Sequence, residues 1–123
     1  SQVSDILRSA PEGFSVLSGD DDMTLAFMAT GAQGVISVAS NIAPAEVSGL
    51  VVSMLSGDID SARALHHCLS PLFKACFVES NPIPAKAAMA ALGLMKEDVR
   101  LPLVKASDST KKLMSQILAT LWK

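Results

Sequence analysis

The chain has 123 residues, a net charge of −2 and an apolar fraction of 50%. This length suits one domain with a substantial core, and the charge, without a basic run, argues against a nucleic-acid or acidic-membrane partner. No apolar run approaches the roughly 20 residues of a membrane-spanning helix and the first residues lack signal-peptide character, so we predict a cytoplasmic location and no membrane partner.

The first residues predict a helix over residues 1–10. Apolar residues recur there at helical spacing, at Val3, Ile6, Leu7 and Ala10. The helix must stop before Pro11, because the residue before a proline is disfavoured in helical geometry. Since the pattern begins at once, we interpret it as the last turns of a helix that starts earlier, and expect the chain to lack its beginning.

Two short apolar runs predict the buried parallel strands 14–18 and 34–39. Neither shows polar alternation, which is typical of a parallel sheet covered on both faces. The apolar positions are Val16, Leu17, Val35, Ile36 and Val38. Between the strands, residues 20–22 predict an acidic helix cap, followed by a helix over 23–30 that Gly31 closes. Such a β/α unit needs further strands, and the rest of the chain offers none.

The remainder of the chain predicts helices. Pro44 favours a first helical position, with a helix to Ser56 whose inward residues are Val47, Leu50, Val51, Met54 and Leu55,. A long amphipathic helix follows from residue 59, with a kink expected at Pro71. Its inward positions are Ala62, Leu65, Leu69, Leu72, Phe73, Cys76 and Phe77.

Residues 81–84, of sequence N-P-I-P, exclude a helix and a central strand,. They lead into a helix over 85–92 that Gly93 ends. Residues 101–103 predict an extended connector, and residues 107–110 cap a final helix. That helix is amphipathic through Leu113, Ile117, Leu118 and Leu121.

Five motifs carry a family resemblance: L-S-G-D-D (17–21), G-V-I-S-V (34–38), F-V-E-S-N-P-I-P-A-K (77–86), A-L-G-L (91–94) and R-L-P-L (100–103). Together they resemble the C-terminal portion of the bacterial dihydrodipicolinate synthase family, also called 4-hydroxy-tetrahydrodipicolinate synthases. The resemblance runs across essentially the whole chain and somewhat under half of such an enzyme. Two alternatives stay open: another pyruvate-dependent aldolase such as N-acetylneuraminate lyase, and a standalone, non-catalytic helical binding module.

The resemblance implies an α/β fold. Residues 1–57 would be the last two β/α units of a TIM-type barrel and residues 58–123 a C-terminal three-helix domain. It also implies a lyase reaction, in which pyruvate forms a Schiff base with a barrel lysine and then attacks aspartate semialdehyde in lysine biosynthesis. The implied partners are these two substrates, the missing N-terminal part and further copies in a homotetramer, with no cofactor.

The Schiff-base lysine of the family lies upstream of the point where this chain begins. The lysines present, none of them on a predicted strand, are Lys74, Lys86, Lys96, Lys105, Lys111, Lys112 and Lys123. The chain also has no tyrosine, although the family uses tyrosines to relay protons. We therefore predict no catalytic residue in this chain and no activity of the chain alone.

Two residues match substrate-binding positions of the family. Gly19 ends the first strand, where a missing side chain allows close approach. Ile36 lies on the second strand, where the resemblance implies a backbone contact to pyruvate. The alternative readings are that Gly19 serves a tight turn and that Ile36 fills the barrel.

Other reactive side chains favour structural roles. The acids at 20–22 suit a helix cap better than a metal site, and adjacent His66 and His67 cannot share one metal ion. Cys68 and Cys76 fit no metal or redox spacing, so we predict two buried, free thiols. The remaining candidates are Glu79 and Lys86, which could pair locally, and the strand serines Ser18 and Ser37, which have no histidine partner in view.

Overall fold

The structure, a computed structural model, describes residues 2–122. Two short strands, β1 (Leu17–Ser18) and β2 (Gly34–Val35), form a parallel pair. The helices are α1 (Gln2–Ser9), α2 (Thr24–Ala29), α3 (Pro44–Ser56), α4 (Ile59–Ala75), α5 (Ile83–Ala91) and α6 (Asp108–Leu121). Short 3₁₀ turns, Asp21–Met23 and Ala39–Asn41, lie beyond the carboxyl ends of the two strands.

The strands pair as predicted but are shorter. Ser18 lies opposite Val35, and the Ile36 amide donates to the Ser18 carbonyl oxygen at 2.8 Å. The predicted ranges 14–18 and 34–39 are therefore too long, and residues 39–41 form a 3₁₀ turn instead. The reason is that a strand is regular only where it has hydrogen-bonded neighbours, and each strand has one neighbour within the described residues.

The predicted burial of the strands holds only in part: Ser18 and Gly34 are buried and Val35 is half-buried, but other apolar side chains are exposed. Leu17 is 45% exposed and Ile36 is 69% exposed, and Phe14 before the first strand is 56% exposed. A parallel sheet buries its apolar side chains between helices and further strands, and a pair of two-residue strands cannot supply that cover. These side chains form an apolar surface at the sheet.

The first part of the chain follows local rules. Helix α1 lies where it was predicted, although Ser1 falls outside the described residues. Asp20 is the predicted cap, because its side chain accepts a hydrogen bond from the Asp22 amide at 3.0 Å. Gly31 ends α2 with a left-handed φ of +116°, as its position after the helix predicted,.

Helices α3 and α4 form the centre of the molecule. Pro44 begins α3 and Gly57, with φ of +81°, ends it. Four of the five predicted inward residues of α3 are buried or half-buried, whereas Leu55 in its last turn is 64% exposed. Helix α4 continues through Pro71 to Ala75, so Phe77 lies beyond the helix and is 53% exposed.

In the last third of the chain, two predictions need correction and one is confirmed. Helix α5 begins at Ile83 rather than after Pro84, because a proline in the first helical turn costs no internal hydrogen bond,. The connector at 101–103 is a turn, since the Leu103 amide donates to the Arg100 carbonyl oxygen at 3.0 Å. Ser107 caps α6 as predicted, accepting from the Thr110 amide at 3.3 Å.

One apolar core joins α3, α4, α5 and α6 with the turn that follows β2. Its fully buried members include Ala39, Leu50, Leu69, Leu72, Cys76, Ala88 and Met114. The predicted boundary at residues 57 and 58 separates α3 from α4, which pack on each other within this core. The division into domains 1–57 and 58–123 stays a prediction.

Candidate functional site

Gly19 and Ile36 lie side by side at the carboxyl edge of the sheet. β1 ends at Ser18 and β2 ends at Val35, and these two residues are directly paired. Each candidate therefore follows its strand by one residue, at equivalent positions. In parallel β/α folds the residues at this edge are the ones that bind ligands.

Gly19 has no local structural need to be glycine. Its φ lies outside the left-handed region, and a Cβ built on it would meet no atom within 4 Å. The presence of glycine at position 19 is therefore not explained by a turn that only glycine can make. It is not explained by close packing within the chain either. The space around the Gly19 backbone is open within the described residues.

Ser18 holds the backbone around Gly19. Its side chain is fully buried, its Oγ donates to the Asp20 carbonyl oxygen at 2.7 Å, and the Asp20 amide donates back to Oγ at 3.1 Å. This serine thus orders the turn rather than acting as a nucleophile. Ser37, after β2, accepts from the Ser40 amide at 2.8 Å and has a similar local role.

The acidic run divides into two roles. Asp20 is the helix cap described above, as predicted. Asp21 is 2% exposed, and its Oδ2 accepts hydrogen bonds from the Val38 and Ala39 amides, each at 3.0 Å. Sequence reasoning missed this contact, because its partners lie 17 and 18 residues away. Within residues 2–122 no cluster of three or more acidic, histidine or cysteine side chains is arranged to hold a metal ion.

The two cysteines differ. Burial, with the Asp21 carboxylate nearby, raises the pKa of the Cys76 thiol to about 12, so it stays a neutral apolar group as predicted,. Cys68 is free but exposed, which corrects its predicted burial. Its Sγ donates a hydrogen bond to the Leu121 carbonyl oxygen of α6 at 3.8 Å.

The remaining candidates do not form a second site. His66 packs edge to face on His67 and against Phe73, with ring centroids 5.6 and 6.1 Å apart. Glu79 and Lys86 do not pair: the Lys86 ammonium binds the Asp98 carbonyl oxygen. Glu79 instead accepts from Ser107 and Thr110, and these hydrogen bonds hold the pKa of Glu79 below its usual range.

Two surface cavities flank the carboxyl edge of the sheet. One, of about 340 Å³, runs from Gly19 and Asp20 to Phe73 and Lys74 of α4. The other, of about 370 Å³, begins at Ser37 after β2 and reaches the N-P-I-P segment and Lys86 of α5, so that residues of both predicted domains line each cavity.

None of the described helices is long and apolar enough to cross a membrane.

The family model for the dihydrodipicolinate synthetase family matches residues 1–121. The chain belongs to this family. It is 44% identical over 117 residues to the 4-hydroxy-tetrahydrodipicolinate synthase of Syntrophus aciditrophicus, covering 95% of this chain and 40% of the relative. The chain thus spans about two fifths of that synthase's length.

Solved structures of dihydrodipicolinate synthases share the fold of this part of the family. The enzyme of Thermotoga maritima superposes with a TM-score of 0.94 at 41% identity, over 98% of this chain and 42% of that one. A protein described as the first monomeric dihydrodipicolinate synthase variant superposes with a TM-score of 0.93 at 41% identity, over 97% and 41%. These matches favour the synthase branch over N-acetylneuraminate lyase and over a standalone helical module.

Proposed function

We propose that this chain forms the C-terminal part of a 4-hydroxy-tetrahydrodipicolinate synthase. The observation that carries the proposal is the 44% identity to a synthase of that name over 95% of the chain. In this proposal residues 1–57 supply the last two strands of an eight-stranded TIM-type barrel and residues 58–123 the C-terminal three-helix domain. The parallel pair β1 and β2, followed by α4, α5 and α6, fits that order.

The complete enzyme condenses pyruvate, held as a lysine Schiff base, with aspartate semialdehyde in lysine and diaminopimelate biosynthesis. The Schiff-base lysine belongs to the part of the enzyme outside this chain. In support, the first lysine of the chain is Lys74, and neither β1 nor β2 contains one. The chain alone is therefore inactive. The reaction of the complete enzyme needs no cofactor.

Gly19 and Ile36 form part of the pyruvate-binding wall. Their equivalent positions at the carboxyl edge of the sheet support this role, as does the open space around Gly19. Both residues are exposed at that edge, where a carboxylate or carbonyl group of the substrate can approach the backbone. Ile36 acts through its backbone, and its side chain faces the rest of the barrel.

The rest of the barrel covers the apolar surface at the sheet. Phe14, Leu17 and Ile36 are each 45% exposed or more, which is the surface that neighbouring strands and helices of a closed barrel bury,. We propose that the complete enzyme to which this chain belongs is a cytoplasmic homotetramer, in which α1 and α2 meet a second dimer. Thr30, at the end of α2, is small and polar, and the contact between dimers is therefore weak. Sedimentation of the complete enzyme tests whether the tetramer forms.

The activity is tested with the complete enzyme. We expect pyruvate-dependent consumption of aspartate semialdehyde, and borohydride reduction in the presence of pyruvate should attach one pyruvate to a lysine outside this chain. The control is this chain alone, which should gain no adduct. Cleavage of N-acetylneuraminate without condensation of aspartate semialdehyde would overturn the proposal in favour of another aldolase.

A further inference from the structure

A buried carboxylate joins the two segments that carry the candidate substrate contacts. Asp21 lies two residues after Gly19, and Val38, one of its two amide donors, lies two residues after Ile36. Both amide hydrogen bonds reach the same oxygen, Oδ2, at 3.0 Å. The side chain therefore fixes the distance between the two strand ends, beyond the last backbone contact between them.

This contact is unlike an ordinary helix cap. A capping side chain accepts from an amide two or three residues further along, as Asp20 does with Asp22,. Asp21 reaches across the sheet edge to a different β/α unit. Two hydrogen bonds to one oxygen hold the backbone at Val38 and Ala39, so the Asp21 side chain restrains one strand end relative to the other,.

Stability alone does not account for this arrangement. The other carboxylate oxygen, Oδ1, is buried and has no hydrogen-bond partner in the described part of the chain. A buried, unsatisfied polar atom costs free energy, and a charged one costs more. Such costs concentrate where geometry serves function rather than stability.

We propose that Asp21 is a positioning residue for pyruvate. It holds the backbone after β1 and the backbone after β2 in one geometry, so that the Gly19 and Ile36 peptide groups meet the substrate together. Asp21 itself touches no substrate, because its carboxylate is enclosed by protein. The inference rests on the proposed function, since it assigns pyruvate to this edge of the sheet.

The test compares Asp21→Ala and Asp21→Asn in the complete enzyme. Alanine removes the acceptor of both amides, whereas asparagine keeps a carbonyl oxygen that can accept them. We expect the pyruvate KM to rise about tenfold or more in Asp21→Ala and by a much smaller factor in Asp21→Asn, because small displacements of positioning groups have large kinetic effects. Hydrogen exchange at the Val38 and Ala39 amides should accelerate in Asp21→Ala and stay slow in Asp21→Asn.

The matched control is Leu50→Ala. Leu50 is 1% exposed in α3 and takes no part in the hydrogen bonds of Asp21, so its truncation lowers the unfolding temperature while both amides keep their acceptor,. It should leave the pyruvate KM unchanged in the folded enzyme. If Asp21→Ala does not fold, Asp21→Ser carries the same test, because its side chain is too short to reach both amides.

Two results would overturn the inference while leaving the proposed function intact. One is an active Asp21→Ala enzyme with the wild-type pyruvate KM and protected amides at Val38 and Ala39. The other is a rise in KM of the same size in Leu50→Ala. A wild-type enzyme that does not condense pyruvate would overturn the proposed function and, with it, this role of Asp21.

Discussion

Trp122 Nε1 donates a hydrogen bond of 2.6 Å to Glu46 Oε1, across 76 positions of the sequence. Glu46 lies in the first turn of α3, and Trp122 is the residue that follows α6. The bond therefore ties the last helix to the helix that follows the sheet edge. It links the two predicted domains at a point outside the shared core.

Loss of this bond should weaken the complete enzyme modestly. Trp122→Phe keeps an aromatic ring but removes the donor, and we expect the free energy of unfolding to fall by about 0.5–1.5 kcal/mol. Denaturant unfolding measures the change. In a Glu46→Ala background the same substitution should have almost no effect, and a full effect there would show that ring packing, not the hydrogen bond, matters.

Gly19→Ala should separate activity from stability. The added Cβ meets no atom within 4 Å, so the unfolding temperature of the complete enzyme should not change, while pyruvate condensation should fall because the methyl group narrows the approach to the backbone. Gly57→Ala should show the opposite pattern: its φ of +81° makes alanine strained, by about 1 kcal/mol, without loss of activity,. Full activity of Gly19→Ala would contradict its substrate-binding role.

Ile36→Ala tests the second wall position. Its side chain is 69% exposed in this chain, so truncation should matter only where the rest of the barrel covers it. In the complete enzyme we expect weaker pyruvate binding at matched folded fraction, since the shortened side chain loosens the backbone contact. Val104→Ala is the control, because Val104 is 65% exposed and lies in the segment before α6. Equal effects of the two variants would make Ile36 an ordinary packing residue.

Glu79 should contribute stability that depends on pH. Hydrogen bonds from Ser107 and Thr110 lower the pKa of Glu79 from its usual value of 4.5. A carboxylate whose folded pKa is depressed stabilises the fold above its unfolded pKa, and this contribution disappears as pH falls through the lower folded value. Glu79→Gln should therefore lower the unfolding midpoint at neutral pH and lose this effect well below pH 4.5.

The control for Glu79 is the same substitution in a Thr110→Val background. Thr110 is 5% exposed and donates to the same carboxylate oxygen, so its replacement removes one cause of the pKa shift. The effect of Glu79→Gln at neutral pH should then shrink. An effect that stays constant with pH and background would rule out the hydrogen-bonded carboxylate as its source.

The isolated chain should not unfold cooperatively as a monomer. Phe14, Leu17 and Ile36 expose apolar surface, and both strand edges lack partners within the described residues. Exposed apolar surface and open strand edges promote association. Circular dichroism and sedimentation should show aggregation or a broad melt, and a sharp two-state transition of a monomer would contradict this expectation.

Local chemistry made most helix boundaries predictable. Asp20, Gly31, Pro44 and Ser107 each begin or end an element through a preference that depends on a few neighbouring residues,. The proline that begins α3 has the φ that a helix needs, and the glycine that ends α2 can adopt positive φ. The parallel pairing of β1 with β2 also followed from the sequence, because two apolar runs flanking a helix favour a β/α unit.

Contacts between distant residues decided the rest. The length of the strands depends on their hydrogen-bonded neighbours, and the exposure of Leu17 and Ile36 depends on which elements pack on them. A short apolar run does not specify either. The bonds from Val38 and Ala39 to Asp21 likewise join residues 17 and 18 positions apart. In the sequence, an aspartate in an acidic run is typical of an exposed helix cap. Only the fold brings the two strand ends together, and it thereby buries Asp21 and lets its carboxylate bind the backbone of the other strand end.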